Sequence, residues 1–215
     1  MIMKKFIQKI SSLLAQTTTL NQYQFNSSSS PVTNTINKKY IFRELTLLDL
    51  KQNTIFQEKN RLSRYSNHFN KGHRCYGFIT PKGDVAAYFW LTLNENNQPI
   101  ANPAFKGINW IIQNNEAYIW DCRTLEAYQR QGLYREGLKR LAHLCQQKHI
   151  AKIMINCKPD NYASNTGIKS AGFILKGTVF TLKTKLFKLV LCTKKYLKFS
   201  IPAKPVTSGD VFPWN

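Results

Sequence analysis

Tyr128-Gln129-Arg130-Gln131-Gly132-Leu133-Tyr134-Arg135 combines the residue types that hold phosphate. It follows an apolar, strand-like run, Ala117-Tyr118-Ile119-Trp120-Asp121-Cys122, and opens a helix-like one. A strand, a glycine turn and a helix start leave backbone N–H groups converging at the positive end of the helix dipole. Arg130 and Arg135 flank the glycine and can pair with phosphate oxygens. An ordinary surface turn before a helix would read the same way, so the flanking elements decide.

Groups that handle protons sit on the strand before this turn. Asp121 adjoins Cys122, and Glu116 opens the run. Strict alternation puts Glu116, Tyr118, Trp120 and Cys122 on one face and Asp121 on the other, unless a bulge re-aims it. His73 precedes a hairpin and is a further titratable group. Cys122 has no His–Asp relay in the sequence to make it a nucleophile.

The surrounding elements read as strand, helix, hairpin, strand, loop, helix, strand, helix, hairpin. Residues 40–45 form the first strand, and Thr46 caps a helix running to about Arg64, with Asp49 three residues on. Residues 76–80 and 85–91 pair around Pro81-Lys82-Gly83-Asp84. Residues 94–106 are an irregular polar excursion, and residues 108–112 and 117–124 are strands. Leu138, Leu141, Ala142 and Cys145 recur at helical spacing after the loop. A buried strand, 152–157, follows, then a helix over 161–171 ending at Gly172, then a hairpin of 180–184 with 186–192. Strands and helices in this order predict a mixed, largely antiparallel sheet flanked by helices.

Composition bounds the partners. The formal charge of +20 favours acidic ligands and argues against polycationic substrates such as aminoglycosides or polyamines. Five widely spaced cysteines without a CxxC pair fit free thiols in a reducing compartment. The histidines lack metal-ligand spacing with them, so no metal is expected. The domain reading is a basic, amphipathic and polar N-terminal extension over 1–38, a folded domain over 39–200 and a tail over 201–215. Residues 1–16 can touch an anionic membrane surface weakly, and residues 17–36 read as a linker. No apolar run is long enough to span a bilayer, so the expected location is cytoplasmic, or peripheral at the inner membrane surface.

The turn resembles the acyl-CoA pyrophosphate loop of the GNAT superfamily of N-acetyltransferases, Gln/Arg-x-x-Gly-x-Gly/Ala. Gln129 and Gly132 fit it, whereas Tyr134 stands at the small position. The segment from Asn161 through Ser164 to Gly172-Phe173 resembles the family's Asn-x-x-Ser/Ala…Gly-Phe segment. The likeness runs from Tyr40 to Cys192, and its specific part is Ala117–Phe173.

The resemblance implies an α/β (α+β) GNAT fold whose splayed strands embrace acetyl-CoA as cosubstrate. It implies that backbone groups of Cys122 and Thr124 pair with pantetheine, and that the Cys122 N–H faces the thioester oxygen. Backbone N–H groups of Arg130, Gln131, Gly132, Leu133, Tyr134 and Arg135 would hold the pyrophosphate, with Gln129 fixing the loop and Asn161 and Ser164 beside the pantetheine. The family's usual tyrosine acid falls at Ile168 here. Asp121, then Glu116, are the expected bases. The expected reaction is direct acetyl transfer to a small primary amine, with an amino sugar or nucleotide-linked amino sugar as acceptor. A protein lysine or N-terminal acetyltransferase, and a non-enzymatic nucleic-acid or anionic-surface binder, are the alternatives. The sequence sets no oligomeric state.

Overall fold

The computed structural model describes residues 16–27, 39–53, 61–95, 100–103, 110–183, 188–192 and 196–200. Of the expected amphipathic segment at 1–16, residues 1–15 lie outside them, as does the tail at 201–215. Among the described residues the chain runs β1 (Gln16–Asn26), β2 (Ile41–Leu45), α1 (Leu47–Gln52), α2 (Arg61–Asn70), β3 (Arg74–Ile79) and β4 (Val85–Leu93). The short β5 (Ile100–Ala101) and β6 (Ile111–Ile112) precede β7 (Glu116–Thr124), a 3₁₀ turn at Glu126–Tyr128 and α3 (Leu133–Gln147). Then come β8 (Lys152–Cys157), α4 (Tyr162–Ser170), β9 (Ile174–Lys183), β10 (Lys188–Cys192) and β11 (Tyr196–Ser200).

Local chemistry sets these boundaries. Thr46 caps α1 with a reciprocal capping box to Asp49, as its type and spacing predict. Pro81 through Asp84 turn β3 into β4, with Gly83 at φ +90. Gly172 lies just past α4 at φ +92, where an L side chain would be strained.

Nine strands form one sheet in the order β11-β10-β9-β1-β8-β7-β4-β3-β2. All neighbouring pairs are antiparallel except β7 and β8, which run parallel. The strand β1 corrects the sequence reading. Residues 16–26 lie inside the sheet, hydrogen-bonded to β8 on one side and β9 on the other, so the folded domain includes part of the expected extension. Its Ser/Thr/Asn/Gln content resembles a linker, yet its threonines favour extended backbone, and Leu20, Tyr23 and Phe25 are buried. The continuous helix expected over 46–64 is also corrected: α1 ends at Gln52 and α2 starts at Arg61.

Two cores cover the two sheet faces. One joins Phe89, Ala117, Ile119, Ile153 and Ile155 to Leu133, Leu138 and Leu141 of α3. The other joins Tyr88, Trp90, Tyr118 and Trp120 to Leu50 and Tyr65 of α1 and α2. Within the second core His73 Nδ1 lies 3.0 Å from Thr92 Oγ1, which accepts from Trp120 Nε1 at 2.9 Å. Burial pushes the His73 pKa down to about 4, so its ring is neutral at pH 7 and is built into the core. The unfolded chain takes up this proton near the ordinary value of 6.5, and the fold resists until about 4. Stability contributed by neutral His73 is complete above pH 6.5 and drains as pH falls to about 4, by up to about 3 kcal/mol. Thermal melts across that interval should fall steeply for the wild type and distinctly less for His73→Gln.

Candidate active site

The parallel ladder between β7 and β8 pairs Glu116 with Lys152 through Ile119 with Ile155 and then stops. Strand β8 continues alongside β1 as far as Cys157, whereas β7 continues alongside β4 as far as Thr124. The two central strands therefore part beyond Ile119, and the β8-facing backbone of Trp120–Thr124 has no partner in β8. Both strands are held from their outer sides, so the wedge between them is fixed by the sheet itself.

A bulge on β7 arms one face of this wedge. Tyr88 pairs with Arg123 and Trp90 with Trp120, so Asp121 and Cys122 together oppose Phe89. Asp121 takes up the extra residue at φ +42. This overturns strict alternation. Asp121 joins Trp120 on the α2 face, where Arg64 Nη2 lies 3.5 Å from its Oδ2, while Cys122 packs against the α3-side core. Burial raises the Asp121 pKa, with Arg64, Arg61 and Arg123 opposing that rise. A carboxylate destabilised in its charged form accepts a proton more readily than an exposed one. Burial, reinforced by Asp121, drives the Cys122 thiol pKa well up, so Cys122 is a neutral thiol and its usable groups are those of the backbone.

Glu116 lies at the closed end of the wedge. Its carboxylate pairs with Lys152 and accepts from the Gln113 N–H at 3.0 Å. The structure does not bring it to the parted ends of the strands.

At the wedge mouth the chain turns through the 3₁₀ helix into α3. Arg130 and Gly132 are both left-handed, at φ +60 and φ +74. A non-glycine residue in that region costs about 1 kcal/mol and marks a turn that something else holds in place. Tyr40 is that something: its hydroxyl donates to Gln131 Oε1 at 2.5 Å, and its ring meets Tyr128 edge-on. The Gln131 side chain ties the loop to the body of the fold. Leu133 sinks into the core and fixes the start of the helix. The N–H groups of Arg130 through Arg135 make no hydrogen bond within the described residues, and residues 129–132 are exposed. They form a row of donors at the N-terminus of a 15-residue helix.

Tyr134, the departure from the loop pattern, turns its ring between α3 and α4. It stacks near Phe89 with centroids 6.1 Å apart, and its hydroxyl lies 2.8 Å from Ser164 Oγ. Gly167 makes the room: a Cβ there would lie 2.5 Å from Tyr134 Cδ1. Ser164 thus faces Tyr134, and Asn161 caps α4 by accepting from the Ser164 N–H at 3.0 Å. Gly167→Ala should destabilise the protein by about 1–3 kcal/mol through overpacking. In a Tyr134→Ala background the same change should be stabilising, because the clash is gone and alanine favours helix. A double-mutant cycle by urea denaturation checks the sign reversal.

Asn165 went unmarked in the sequence reading. It is buried, its Oδ1 accepts from Tyr23 Oη at 2.7 Å and Asn21 Nδ2 at 2.9 Å, and its Nδ2 donates to Asn161 O at 2.7 Å and Lys158 O at 2.9 Å. It locks the β8–α4 connection to β1. Half of this network comes from the strand that composition disguised. The tryptophans of β4 and β7 are core: Trp90 is 0% exposed and Trp120 3%.

Residues 46–173 match the acetyltransferase (GNAT) family. The chain belongs to the GNAT acetyltransferase family. This confirms the resemblance carried by Gln129, Gly132, Asn161 and Gly172-Phe173. Among solved structures, a Drosophila protein covers 85% of this chain at 11% identity and TM-score 0.56, and 56% of its own length is matched. An acetyltransferase from Colwellia psychrerythraea covers 85% at 13% identity and TM-score 0.53, with 62% of its length matched. The glucosamine N-acetyltransferase region of a fungal multidomain β-N-acetylglucosaminidase covers 85% at 13% identity and TM-score 0.55, over 23% of that chain. At these identities the likeness is one of fold, and the GNAT chain spans about three fifths of the Drosophila and Colwellia structures. No curated protein matches it in sequence.

The fold of this GNAT chain is that of an acetyltransferase domain. The loop amides make no hydrogen bond within the described residues, and Gly132 keeps side-chain bulk away from them. Among the described residues no cluster of His, Cys, Asp or Glu could hold a metal ion, and no helix is long and apolar enough to cross a membrane.

Proposed function

We propose that the protein moves an acetyl group from acetyl-CoA to a primary amine by direct attack in a ternary complex. The row of unpaired amides from Arg130 to Arg135, set at the mouth of the β7–β8 wedge, carries this reading. The amides and Arg130 and Arg135 hold the pyrophosphate. Backbone groups of Cys122 and Thr124 pair with pantetheine, and the Cys122 N–H takes the charge that develops on the thioester oxygen.

The amine nitrogen attacks the carbonyl carbon and the carbon–sulfur bond breaks. Asp121 accepts the proton lost by the amine, and the departing thiolate gains one from solvent, since Ile168 offers none. A thiol of pKa about 8–9 leaves readily without a strong acid.

Calorimetry with acetyl-CoA, desulfo-CoA and ATP at two salt concentrations tests the reading. Tight, CoA-selective binding that survives salt is expected. Binding shared with ATP and lost in salt would support the non-enzymatic reading instead, in which the +20 charge only attracts polyanions. Turnover is then read as free CoA released with amines, amino sugars, nucleotide-linked amino sugars and lysine peptides. Vesicle binding tests the membrane-surface contact of residues 1–16, and sedimentation gives the oligomeric state.

A further inference from the structure

On the α2 side of the wedge, several buried polar atoms lack hydrogen bonds. They are Arg64 Nε, Asp121 Oδ2 and Asn156 Nδ2. Buried polar atoms in native folds are almost always satisfied, and these three belong to α2 and the parted ends of β7 and β8. Below them the Tyr65 and Tyr88 hydroxyls bond to each other at 3.0 Å, and Asp121 acts electrostatically on both. Arg64 lies over the Tyr65 ring, and its side chain is 40% exposed, so the cluster opens to solvent.

Arg64 and Asp121 approach to 3.5 Å, and Asp121 Oδ2 makes no hydrogen bond. Such a pair is easily exchanged for better partners. A ligand that bridges both groups must carry a cation and an anion side by side, because the groups themselves are side by side. An α-amino acid does this, and it replaces the internal pair without changing the net charge of the site. A polyamine would bring unpaired positive charge next to Arg64, Arg61 and Arg123. Trp90 and Trp120, whose faces could stack on a sugar ring, are core.

Resting on the acetyl-transfer reading, we propose that the acceptor is an amino acid. Its ammonium pairs with Asp121 and its carboxylate with the Arg64 guanidinium. Asp121 then takes the proton that the ammonium must lose before its nitrogen can attack, the second proton passes to solvent as the amide forms, and Cys122, the neighbouring residue on the strand, is assigned to the thioester.

The test is ligand-observed NMR binding of the protein amino acids, alaninamide, ethylamine and glucosamine to wild type and Arg64→Gln, with melts to confirm folding. At least one amino acid should bind about 10-fold or more tighter than its own carboxamide, and Arg64→Gln should erase that preference. Equal binding of acid and amide, a preference that survives in folded Arg64→Gln, or no amino acid binding at all would overturn the proposal. The readout needs no acetyl-CoA. Amino acid binding without CoA binding would sink the acetyl-transfer reading and leave only an amino acid site, whereas CoA binding without amino acid binding would sink this proposal alone.

Discussion

Gly132→Val should weaken acetyl-CoA binding by about 100-fold or more while leaving the protein folded. Gly132 stands at φ +74, a region that a β-branched residue adopts only at a cost of about 1–2 kcal/mol. Space is not the obstacle, for the nearest atom to an added Cβ is Arg135 Nη2 at 3.9 Å. The strain is therefore relieved by turning the backbone, and the amides beside Gly132 turn with it. Those amides are the donors assigned to the pyrophosphate, and several charge-assisted hydrogen bonds are lost together. Leu133 remains anchored in the core, so the helix persists and melting should shift by only a few degrees. Calorimetry with acetyl-CoA reads the affinity, and circular dichroism reads the fold. A folded valine variant that binds acetyl-CoA like the wild type would refute the loop assignment.

Asp121→Asn should lower kcat by about 10²–10³-fold with acetyl-CoA affinity unchanged. The amide keeps the shape of the carboxylate but cannot accept the amine proton. Arg64 loses its partner, yet its exposure to solvent limits the cost to folding. The pH profile adds a readout that a structural role would not move. Burial raises the Asp121 pKa above the ordinary carboxylate value, and a base must be ionised to act. Wild-type kcat should therefore rise with pH through that raised pKa, and the asparagine variant should lack this limb. Turnover by Asp121→Asn at the wild-type rate would assign proton removal to a water chain.

The sequence alone determined whatever depends on neighbours along the chain. The capping box at Thr46, the Pro81–Asp84 turn, the 3.6-residue repeat of Leu138, Leu141 and Cys145, and the glycine turn at 132 are local, and each appears where its residues predict. The spacing of Gln129 to Gly132, and of Asn161 to Gly172, was enough to indicate the family. Tertiary structure decided what depends on distant partners. Strand β1 exists because β8 and β9 each offer it a free edge, so its polar composition could not rule it out. The direction of Asp121 depends on one extra residue in β7 against Phe89, and side-chain alternation reverses at such a bulge. Tyr134 is accommodated by Gly167, a residue on another helix. Glu116 and Asp121 share one strand, but only the sheet shows that one lies where β7 and β8 pair and the other where they part. Backbone preference and periodicity are short-ranged and can be read along a sequence. Which ends of two strands separate is set by the partners on either side of them, and that emerges only when the whole sheet is assembled.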